Sequence, residues 1–468
     1  MSDSPQLLPH GWTRTGVGEL FDIKGGGTPP TDNPAYWDGS IPWMTSADIH
    51  GLKDITPRKK ITHCAIENSA TNCVPKGSII VVTRVGLGKI ALASSDLCFS
   101  QDCQGLINNW NYLVPEYCLY YLSEAVQIFK YKNQGTTING VTVKQLRELG
   151  FPLPPLPEQH RIVTKIEELF TQLDAGVASL KKVQAQLKRY RQAVLKAAFE
   201  GRLTQEWREE HKGEIEPVKI LVEKIQQEQN IKGHLKIENG HDQFDSNESP
   251  QEWIFIQLKF LFKWSNGEGL SKNQMIKGDF TVYGGNGVTG THNGWISEKE
   301  AIVIGRVGAH CGNVNLTKPK SWITDNAIFS SWFSKYIYLK FYLYALKNLK
   351  LNQLSGGSGQ PYISQSILNR LYTCLPPYLE QIEIANEIER HFSQIDYLEK
   401  IIISTLRQAE TLRQSILKQA FEGKLVPQDP KDEPASILLE RIKAEKTKTI
   451  PISKKGKLSN QVNPRNKL

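Results

Sequence analysis

The chain has 468 residues, of which 39% are hydrophobic and 22% charged, so it is long enough for several compact domains. Lysine and arginine outnumber aspartate and glutamate by 57 to 48, and the resulting net charge of +9 admits a polyanionic partner without requiring one. The longest apolar runs, such as 79–83 and 301–304, are too short to cross a bilayer, and the N-terminus lacks the pattern of a secretion signal. We therefore expect a cytoplasmic protein.

The seven cysteines do not form a metal-binding or disulfide pattern. They stand at positions 64, 73, 98, 103, 118, 311 and 374, and no two form a C-x-x-C pair. Because their number is odd and their spacing irregular, we expect reduced thiols. We predict no bound metal.

The first 152 residues carry the pattern of a mixed α/β domain. The apolar run 79–83 is followed by a glycine-rich turn and a second apolar run, as in a pair of buried strands. Segment 114–131 has apolar residues at helical spacing. We predict the first globular domain over residues 1–152.

A long helix is predicted for the helical spacer region that follows, residues 153–228. Its proline-rich start gives a stiff entry, with Pro157 in the first helical turn, and Gly201 suits the C-terminal end. Apolar residues recur between them at steps of three and four over about 44 residues, which is the pattern of a coiled-coil seam. The predicted seam residues are Ile162, Ile166, Leu173, Leu180 and Leu187.

The second half of the chain repeats this order. We predict a polar linker at 229–250, a second mixed α/β domain at 251–374, a second helical spacer region at 375–446 and a basic, mobile tail at 447–468. The second seam comprises Ile384, Ile388, Ile395, Ile402 and Ile416. Because the two seams agree in length and phase, we expect the helices to pack together as an antiparallel coiled coil. The alternative is that each helix packs on other parts of the chain.

An internal repeat underlies this order. LPPLPEQHRIVTKIEELFTQLD (153–174) aligns with LPPYLEQIEIANEIERHFSQID (375–396) at an offset of 222, and 21 of the 51 residues in 153–203 are identical to their counterparts. The same offset aligns R-V-G at 84–86 with R-V-G at 306–308, whereas the globular halves otherwise differ. The predicted fold class is therefore α+β, with two mixed α/β domains in tandem, spaced by two long helices and related by a pseudo-two-fold repeat.

Catalytic motifs are missing from this pattern. There is no P-loop, and the G-x-G-x-x-G string at 285–290 leads into T-H-N-G-W, which is not a helical pattern, so a dinucleotide site is not predicted. Asn33-Pro34-Ala35-Tyr36 is one residue away from the [DN]-P-P-[FY] loop of amino-methyltransferases, but no cofactor-binding strand and glycine loop accompany it. We predict a turn at this tetrapeptide and no catalytic residues.

Three features resemble the specificity subunit of type I restriction-modification enzymes. They are KGGGTPPTDNPAYWDGSIPWMTSADI (24–49), the two L-P-P-x-x-E-Q helix openings and the two A-F-x-G-x-L helix ends. The second half departs from the family pattern, because FTVYGGNGVTG (280–290) stands where the first half has its G-T-P…Y-W loop. The resemblance implies that each globular half is a target recognition domain, which reads one half of a bipartite, asymmetric DNA site.

The resemblance also implies a set of partners. The two helices would set the gap between the half-sites and would dock two methyltransferase (M) subunits. Restriction/translocase (R) subunits would complete the complex. S-adenosylmethionine, ATP and magnesium would be bound by these partner subunits, and this chain would bind no cofactor and carry no catalysis.

Contacts with double-stranded DNA are expected from cations, which pair with phosphates, and from polar loop residues, which contact base edges. Arg84 and Arg306 are the strongest candidates because each follows an apolar strand at the same place in the repeat, although a structural ion pair would explain them equally well. For every lysine, a solvated surface charge is the competing explanation. The full candidate set is Lys24, Thr28, Lys59, Lys60, Arg84, Lys89, Thr136, Thr137, Lys263, Lys272, Arg306, Ser358 and Gln360.

Two other functions fit the sequence less well. A coiled-coil scaffold without DNA sequence specificity would explain the helices but not the signature at 24–49. A self-sufficient methyltransferase would need the cofactor-binding motifs that the sequence lacks.

Overall fold

The structure is a computed structural model, which describes residues 8–107, 112–132, 140–231, 250–271, 273–354 and 361–449. The chain divides into two compact units: unit 1 contains Met1–Ala178 and Leu406–Leu468, and unit 2 contains Ser179–Thr405. Each unit therefore holds one globular half, the start of one long helix and the end of the other. The two units are defined by contacts and not by chain order. They therefore do not test the boundaries of the six predicted segments, which remain a prediction.

Unit 1 is a mixed α/β body, as predicted for the first half of the chain. Its helices are α1 (Val17–Leu20), α2 (His63–Asn68), α3 (Pro115–Ala125), α4 (Gln127–Lys132), α5 (Val143–Arg147) and the start of α6 (Leu156–Phe199). Its strands are β1 (Thr13–Gly16), β2 (Asp22–Gly25), β3 (Trp37–Met44), β4 (Ile49–Gly51), β5 (Asp54–Ile55), β6 (Lys59–Ile61), β7 (Asn72–Val74), β8 (Ile79–Val82), β9 (Ile90–Leu92), β10 (Leu97–Phe99), β11 (Cys103–Ile107) and β12 (Gly150–Leu153).

Two four-stranded sheets form the frame of unit 1. One is antiparallel with the order β2-β11-β8-β9, and the other has the order β6-β3-β10-β7 with β3 and β10 parallel. Strand β8 is buried along its whole length, since Ile79 and Val81 enter one core while Ile80 and Val82 enter another. This two-sided burial explains its unbroken apolar run. Strand β1 pairs with β12, which leads directly into α6.

One pair of cysteines corrects the expectation of reduced thiols. Cys73 on β7 and Cys98 on β10 stand directly opposite each other in an antiparallel pair, and the structure joins them in a disulfide. The expectation was wrong for this pair because strand register brings together two residues that sequence spacing keeps 25 positions apart. Of the free cysteines, Cys103, Cys118, Cys311 and Cys374 are buried, and Cys64 is exposed.

Unit 2 repeats the mixed α/β architecture. Its helices are the end of α6, then α7 (Gln205–Glu210), α8 (Val218–Glu228), α9 (Leu339–Asn348), α10 (Gln365–Arg370) and the start of α11 (Tyr378–Phe421). Its strands are β13 (Ile254–Gln257), β14 (Phe262–Asn266), β15 (Phe280–Gly284), β16 (Gly287–His292), β17 (Ile302–Gly305), β18 (Val314–Leu316), β19 (Trp322–Ile323), β20 (Ala327–Phe333) and β21 (Tyr372–Leu375).

The sheets of unit 2 match those of unit 1 in kind. An antiparallel sheet has the order β14-β20-β17-β18, and a second sheet, β16-β15-β19, contains one parallel pair. Strand β17 has the same two-sided burial as β8, with Ile302 and Ile304 in one core and Val303 in another. Strand β13 pairs with β21, which leads into α11. The predicted tandem of two mixed α/β domains is therefore confirmed.

The long helices have the same length, 44 residues each, and run antiparallel within each unit. In unit 1, the start of α6 packs against the end of α11, where the Arg413 guanidinium lies 4.2 Å from the Phe170 ring centroid and pairs with Asp174. In unit 2, Arg191 near the end of α6 pairs with Asp396 and Glu399 on α11. No helix in the described part of the chain is long and apolar enough to span a membrane.

The predicted seam residues differ in burial along the helices. Leu173 and Leu180, in the middle of α6, are only half-buried. The other eight are buried: Ile162, Ile166, Leu187, Ile384, Ile388, Ile395, Ile402 and Ile416.

Both long helices end at the predicted glycines, and the reason is the same in each unit. Gly201 and Gly423 have φ angles of +73° and +67°, the left-handed conformation that favours glycine at a helix C-terminus. A Cβ atom at Gly201 would lie 2.4 Å from Pro250 Cγ, and one at Gly423 would lie 2.2 Å from Pro9 Cγ. The close approach of a proline therefore makes glycine doubly necessary.

The glutamine of each L-P-P-x-x-E-Q opening connects the long helix to a neighbouring helix. The Gln159 side chain accepts a hydrogen bond from Val114 N, just before α3, and donates one to Pro154 O, at 2.9 and 3.1 Å. Gln381 makes the same pair of bonds with Tyr338 N, just before α9, and Pro376 O, at 2.8 and 2.9 Å. Both glutamines are completely buried, so the motif is explained by its structural role.

Replacing either glutamine by alanine should therefore destabilise the chain. Gln159→Ala and Gln381→Ala each leave one buried backbone N–H and one buried carbonyl without a partner, and we expect a loss of about 2 kcal/mol in each case. Urea unfolding of the full-length chain measures this loss. A solvent-exposed glutamine of the same helix, Gln172→Ala, is the control and should change stability by less than about 0.5 kcal/mol. Equal stability of the control and the two variants would contradict the proposed role.

The closing helix α12 (Ala435–Thr449) packs on unit 1. Ala435, Leu438 and Ile442 are buried in the same core as α1, and Lys446 donates to Gly18 O at 2.8 Å. In unit 2, α8 takes the corresponding position through Leu221, Val222 and Ile225, among others. The second, fainter part of the repeat therefore has a shared structural role.

Candidate nucleic-acid interface

The loop that contains Arg84 begins where strand β8 ends. Thr83 N donates to Asp102 O at 2.8 Å, just before β11, and Val141 N donates to Thr83 O at the same distance. Gly140 packs so closely that a Cβ atom there would lie 2.8 Å from Arg84 Cγ. The loop is thus held between two segments of unit 1, and the exposed Arg84 side chain projects from a fixed backbone.

The loop that contains Arg306 has an equivalent setting in unit 2, at the end of β17. Arg306 N donates to Asn326 O, just before β20, and Ile363 N donates to Arg306 O, both at 2.9 Å. Val307 also bridges to Tyr362, and Gly308 N donates to Pro361 O. Each unit therefore joins its R-V-G loop to the segment that follows a second candidate loop, which carries Thr136 and Thr137 in unit 1 and Ser358 and Gln360 in unit 2.

Neither arginine forms an ion pair in the described part of the chain. Carboxylates within 4.0 Å are found for several other arginines, including Arg161 and Arg413, but for neither Arg84 nor Arg306. A structural ion pair, the alternative considered for these positions, is therefore not observed among the described residues.

The candidate lysines of unit 1 lie in different surroundings. Lys24 on β2 is exposed, and so are Lys59 and Lys60 on the edge strand β6. The ammonium group of Lys59 lies 5.0 Å from the centroid of the Trp37 ring. Lys89 Nζ donates to Ser46 O and Ile49 O, at 3.0 and 3.2 Å, so two of its three donors serve the protein itself.

The signature loop of unit 1 is fixed by its tryptophans. Trp43 Nε1 donates to Gly27 O and Trp37 Nε1 to Pro30 O, and the two rings meet edge to face at 5.3 Å. The Thr28 hydroxyl donates to Gln101 Oε1. The tryptophans therefore shape the glycine- and proline-rich segment, which places Thr28 at the surface of a rigid loop.

The second unit offers fewer described candidates. Lys263 on β14 is exposed, with Nζ 5.4 Å from the centroid of the Trp332 ring. The G-x-G-x-x-G string forms the turn and the start of β16 in the β15–β16 hairpin, so no helix follows it and the phosphate cradle of a dinucleotide fold is not formed there. Thr136, Thr137, Lys272, Ser358 and Gln360 lie outside the described residues.

Metal binding finds no support in the described residues, where no group of three or more histidine, cysteine, aspartate or glutamate side chains could hold an ion. At Asn33-Pro34-Ala35-Tyr36 the Asn33 side chain accepts from Ala35 N at 3.1 Å and caps a 3₁₀ turn. This is the turn predicted for the tetrapeptide.

Comparison with known proteins decides the family. A family model for the type I restriction modification DNA specificity domain matches residues 9–189 and 250–407. The chain belongs to this family. Each matched segment contains one globular half together with much of the long helix that follows it, so the family domain occurs twice, in agreement with the repeat.

Individual relatives and structures agree with this assignment. The EcoKI specificity subunit of Escherichia coli (strain K12) is 28% identical over 337 residues, which is 67% of this chain and 67% of that protein. The StySPI specificity subunit of Salmonella potsdam is 25% identical over 476 residues, or 94% of this chain and 96% of that protein. A solved chain of the type I R-M system, from work on complex assembly and conformational transition, matches 90% of this chain and 100% of its own, with a TM-score of 0.68 and 19% identity.

Proposed function

We propose that the chain is the DNA-binding specificity subunit of a type I restriction-modification complex, in which each unit contacts one half of a bipartite, asymmetric site. The observation that carries this proposal is the matched pair of loops. Each unit places an arginine without an ionic partner among the described residues at the end of a buried strand, and ties that loop to the segment that follows a second candidate loop. Because the surrounding residues differ between the units, we expect two different half-site sequences.

The long helices would hold the two half-sites at a set gap and dock two M subunits. Two 44-residue helices that pack antiparallel within each unit give stiffness that a flexible linker lacks. On α11, Tyr397, Leu398 and Ile401 are exposed by 65%, 44% and 42%, which leaves apolar surface for a partner helix to cover. R subunits would join the complex through the M subunits.

Chemistry would reside in the partner subunits. We propose that S-adenosylmethionine is bound by the M subunits and that ATP and magnesium are bound by the R subunits, while this chain is not catalytic. The proposal rests on the family and on the absence of catalytic motifs from the sequence. Since its proposed ligand is DNA, we place the chain in the cytoplasm.

Methylation mapping tests the proposal directly. In cells that carry this chain with its M subunit, sequencing of modified adenines should reveal one bipartite, asymmetric motif that disappears when the chain is deleted. A scaffold without sequence specificity would give modified adenines in no common motif, and that result would overturn the proposal.

Insertion of one heptad into each long helix should change the preferred gap between the half-sites. Seven residues lengthen a helix by about 10 Å, which is the axial length of about three base pairs. The insertions are placed in both helices so that the antiparallel seam stays in register. The same mapping experiment measures the outcome, and an insertion in α6 alone serves as a control for disruption of the seam. A gap that stayed unchanged in the double insertion would show that the helices do not set it.

A further inference from the structure

Unit 2 also contains a polar cleft, none of whose lining residues is among the candidate DNA contacts. Its volume is about 350 Å³, and it lies between the turn of the β15–β16 hairpin, the start of β18 and the end of α9. Four asparagines, two lysines and no acidic residue line it, together with Gly312, Val314 and Leu351: the polar set is Asn286, Asn313, Asn315, Asn352, Lys347 and Lys350. Since carboxylate, imidazole and thiolate groups are all missing from this lining, a metal cation does not suit the cleft.

The two lysines are cations without a counter-charge. Within the described residues, no carboxylate lies within 4.0 Å of either ammonium group, although Lys340 on the same helix pairs with Glu389 at 3.0 Å. Although the Lys347 side chain as a whole is exposed, loss of hydration by the packing around it lowers its pKa, and the positive charge of Arg191 lowers it further. An anion bound beside the ammonium group would raise this pKa again.

The backbone at Lys350 also sets this residue apart. Its φ and ψ angles, 47° and 53°, are those of the left-handed region, which side chains other than glycine, asparagine and aspartate rarely adopt. Backbone conformation alone would favour glycine or asparagine here. A lysine at this position is therefore better explained by its charge than by its fit to the turn.

The cleft adjoins the loop of unit 2 that starts at Arg306. Gly312 and Asn313 belong to the loop that starts at Arg306, and Gly312 packs so closely against Asn352 that a Cβ atom would lie 2.4 Å from Asn352 N. Asn313 Nδ2 donates to Asn286 Oδ1 at 3.2 Å, which ties the same loop to the β15–β16 turn. The cleft thus shares a loop with Arg306, and Gly312 and Asn313 are hydrogen-bonded to Gly305, the residue before that arginine.

The corresponding positions of unit 1 hold no cation pair. The contacts of Gln159 with Val114 N and of Gln381 with Tyr338 N align α3 with α9 at an offset of 224, which places Lys347 and Lys350 on Ser123 and Val126, both uncharged. In unit 1 the corresponding helix end is occupied by Gln127, whose side chain donates to Gly88 O at 3.0 Å. The cleft is therefore a feature of the half that lacks the G-T-P…Y-W signature.

We propose that this cleft binds a backbone phosphate of DNA at the half-site that unit 2 contacts. Lysine ammonium groups and asparagine amides are donors to phosphate oxygens, and their joint presence fixes the register of a strand without selecting a base. The inference rests on the proposed function, because it places the cleft beside the Arg306 loop of a DNA-binding unit. A phosphate contact at this cleft would explain how unit 2 binds the duplex without the G-T-P…Y-W loop.

The test uses the chain in complex with its M subunits, a duplex that carries the mapped motif and a scrambled duplex of equal length. Lys347→Met keeps an apolar stem beside the Tyr344 ring, and Lys350→Asn suits the left-handed backbone. The variant that carries both substitutions should weaken binding to both duplexes by about fivefold at 0.15 M salt, as the loss of one phosphate contact with a salt slope of about 0.9 implies, and each single variant should weaken binding by less. The steepness of the plot of log K against log salt should fall by about 0.9 when this phosphate contact is lost.

Lys299→Met is the matched control, because Lys299 is exposed at the opposite end of β17. It should leave affinity and salt slope unchanged. A changed preference between the two duplexes with an unchanged slope would mean that the lysines contact bases and would overturn the phosphate assignment. If the cleft variants bound DNA as tightly as the wild type, and the wild type still showed its sequence preference, the cleft would not be a phosphate site. The proposed function would be unaffected by that result. Loss of wild-type sequence preference in the mapping experiment would instead count against the function.

Discussion

Replacement of both Arg84 and Arg306 by glutamine should weaken binding to the cognate duplex by about 30-fold to 10⁴-fold, since each lost contact costs about 1–3 kcal/mol. The two side chains project from loops whose backbones are hydrogen-bonded on two sides, so the substitutions remove charge without releasing the loops. The affinity of the complex with M subunits, measured on mapped and scrambled duplexes, gives the size of the effect. Each single variant should lose about half of the binding free energy that the double variant loses.

The control for this double variant is Arg14→Gln, an exposed arginine on the β1–β12 ribbon of unit 1. It should retain wild-type affinity. Thermal unfolding of the same samples separates the two explanations considered for these arginines. Unchanged affinity together with a lower melting temperature would assign Arg84 and Arg306 to folding and remove them from the interface.

The long helices were predictable because their signals are local. An apolar period of three and four residues, a proline-rich start and a glycine at the end all act within a few residues, and both helices end at Gly201 and Gly423 as expected. The apolar period predicts the face of the helix on which a residue lies. It does not predict how many neighbouring side chains bury that residue. Leu173 and Leu180 are on the expected face and still half-exposed.

Features that depend on the pairing of distant strands could not be predicted from the sequence. The Cys73–Cys98 pair follows from the register of β7 against β10, which no local pattern encodes. The junction of the Arg306 loop with Ile363 likewise joins segments more than fifty residues apart in the sequence. The repeat offset indicated that the R-V-G loops correspond between the halves, whereas only the fold shows that each of them is joined to a distant segment, at Val141 in unit 1 and at Ile363 in unit 2.

The asparagine and lysine cleft illustrates a different limit. Its residues come from three stretches of the sequence, at 286, 312–315 and 347–352, and no single motif joins them. An alignment of α3 with α9 could have shown that Lys347 and Lys350 replace uncharged residues. What it could not show is that Asn286 and Asn313 lie beside them, because that depends on how a hairpin turn meets the loop after β17.

The buried glutamate of each L-P-P-x-x-E-Q opening has different surroundings in the two units. Glu380 in unit 2 accepts hydrogen bonds from Arg208 Nε, Thr204 Oγ1 and Trp253 Nε1, at 2.8, 2.9 and 2.8 Å. Glu158 in unit 1 has no arginine at bonding distance within the described residues, and its contact with Gln428 is 3.3 Å long. Burial raises the pKa of Glu158, and its polar contacts offset only part of that shift.

The same substitution should therefore have opposite effects at the two positions. Glu380→Gln leaves the largely buried Arg208 without its counter-charge and should destabilise the chain by about 3 kcal/mol, as the loss of one member of a buried ion pair does. Glu158→Gln removes a carboxylate that is costly to ionise where it lies, so it should raise stability at neutral pH. Urea unfolding of the full-length chain measures both.

The effect at Glu158 should also depend on pH in one direction. A folded-state pKa above the ordinary value of 4.5 means that the folded chain binds the proton more tightly than the unfolded chain, so this stabilisation is present at low pH. It is lost as the pH rises through the folded-state pKa. The advantage of Glu158→Gln should accordingly be smallest near pH 4 and grow as the pH rises through the folded-state pKa. An advantage of Glu158→Gln that did not change with pH would show that hydrogen bonding, and not ionisation, distinguishes the two glutamates.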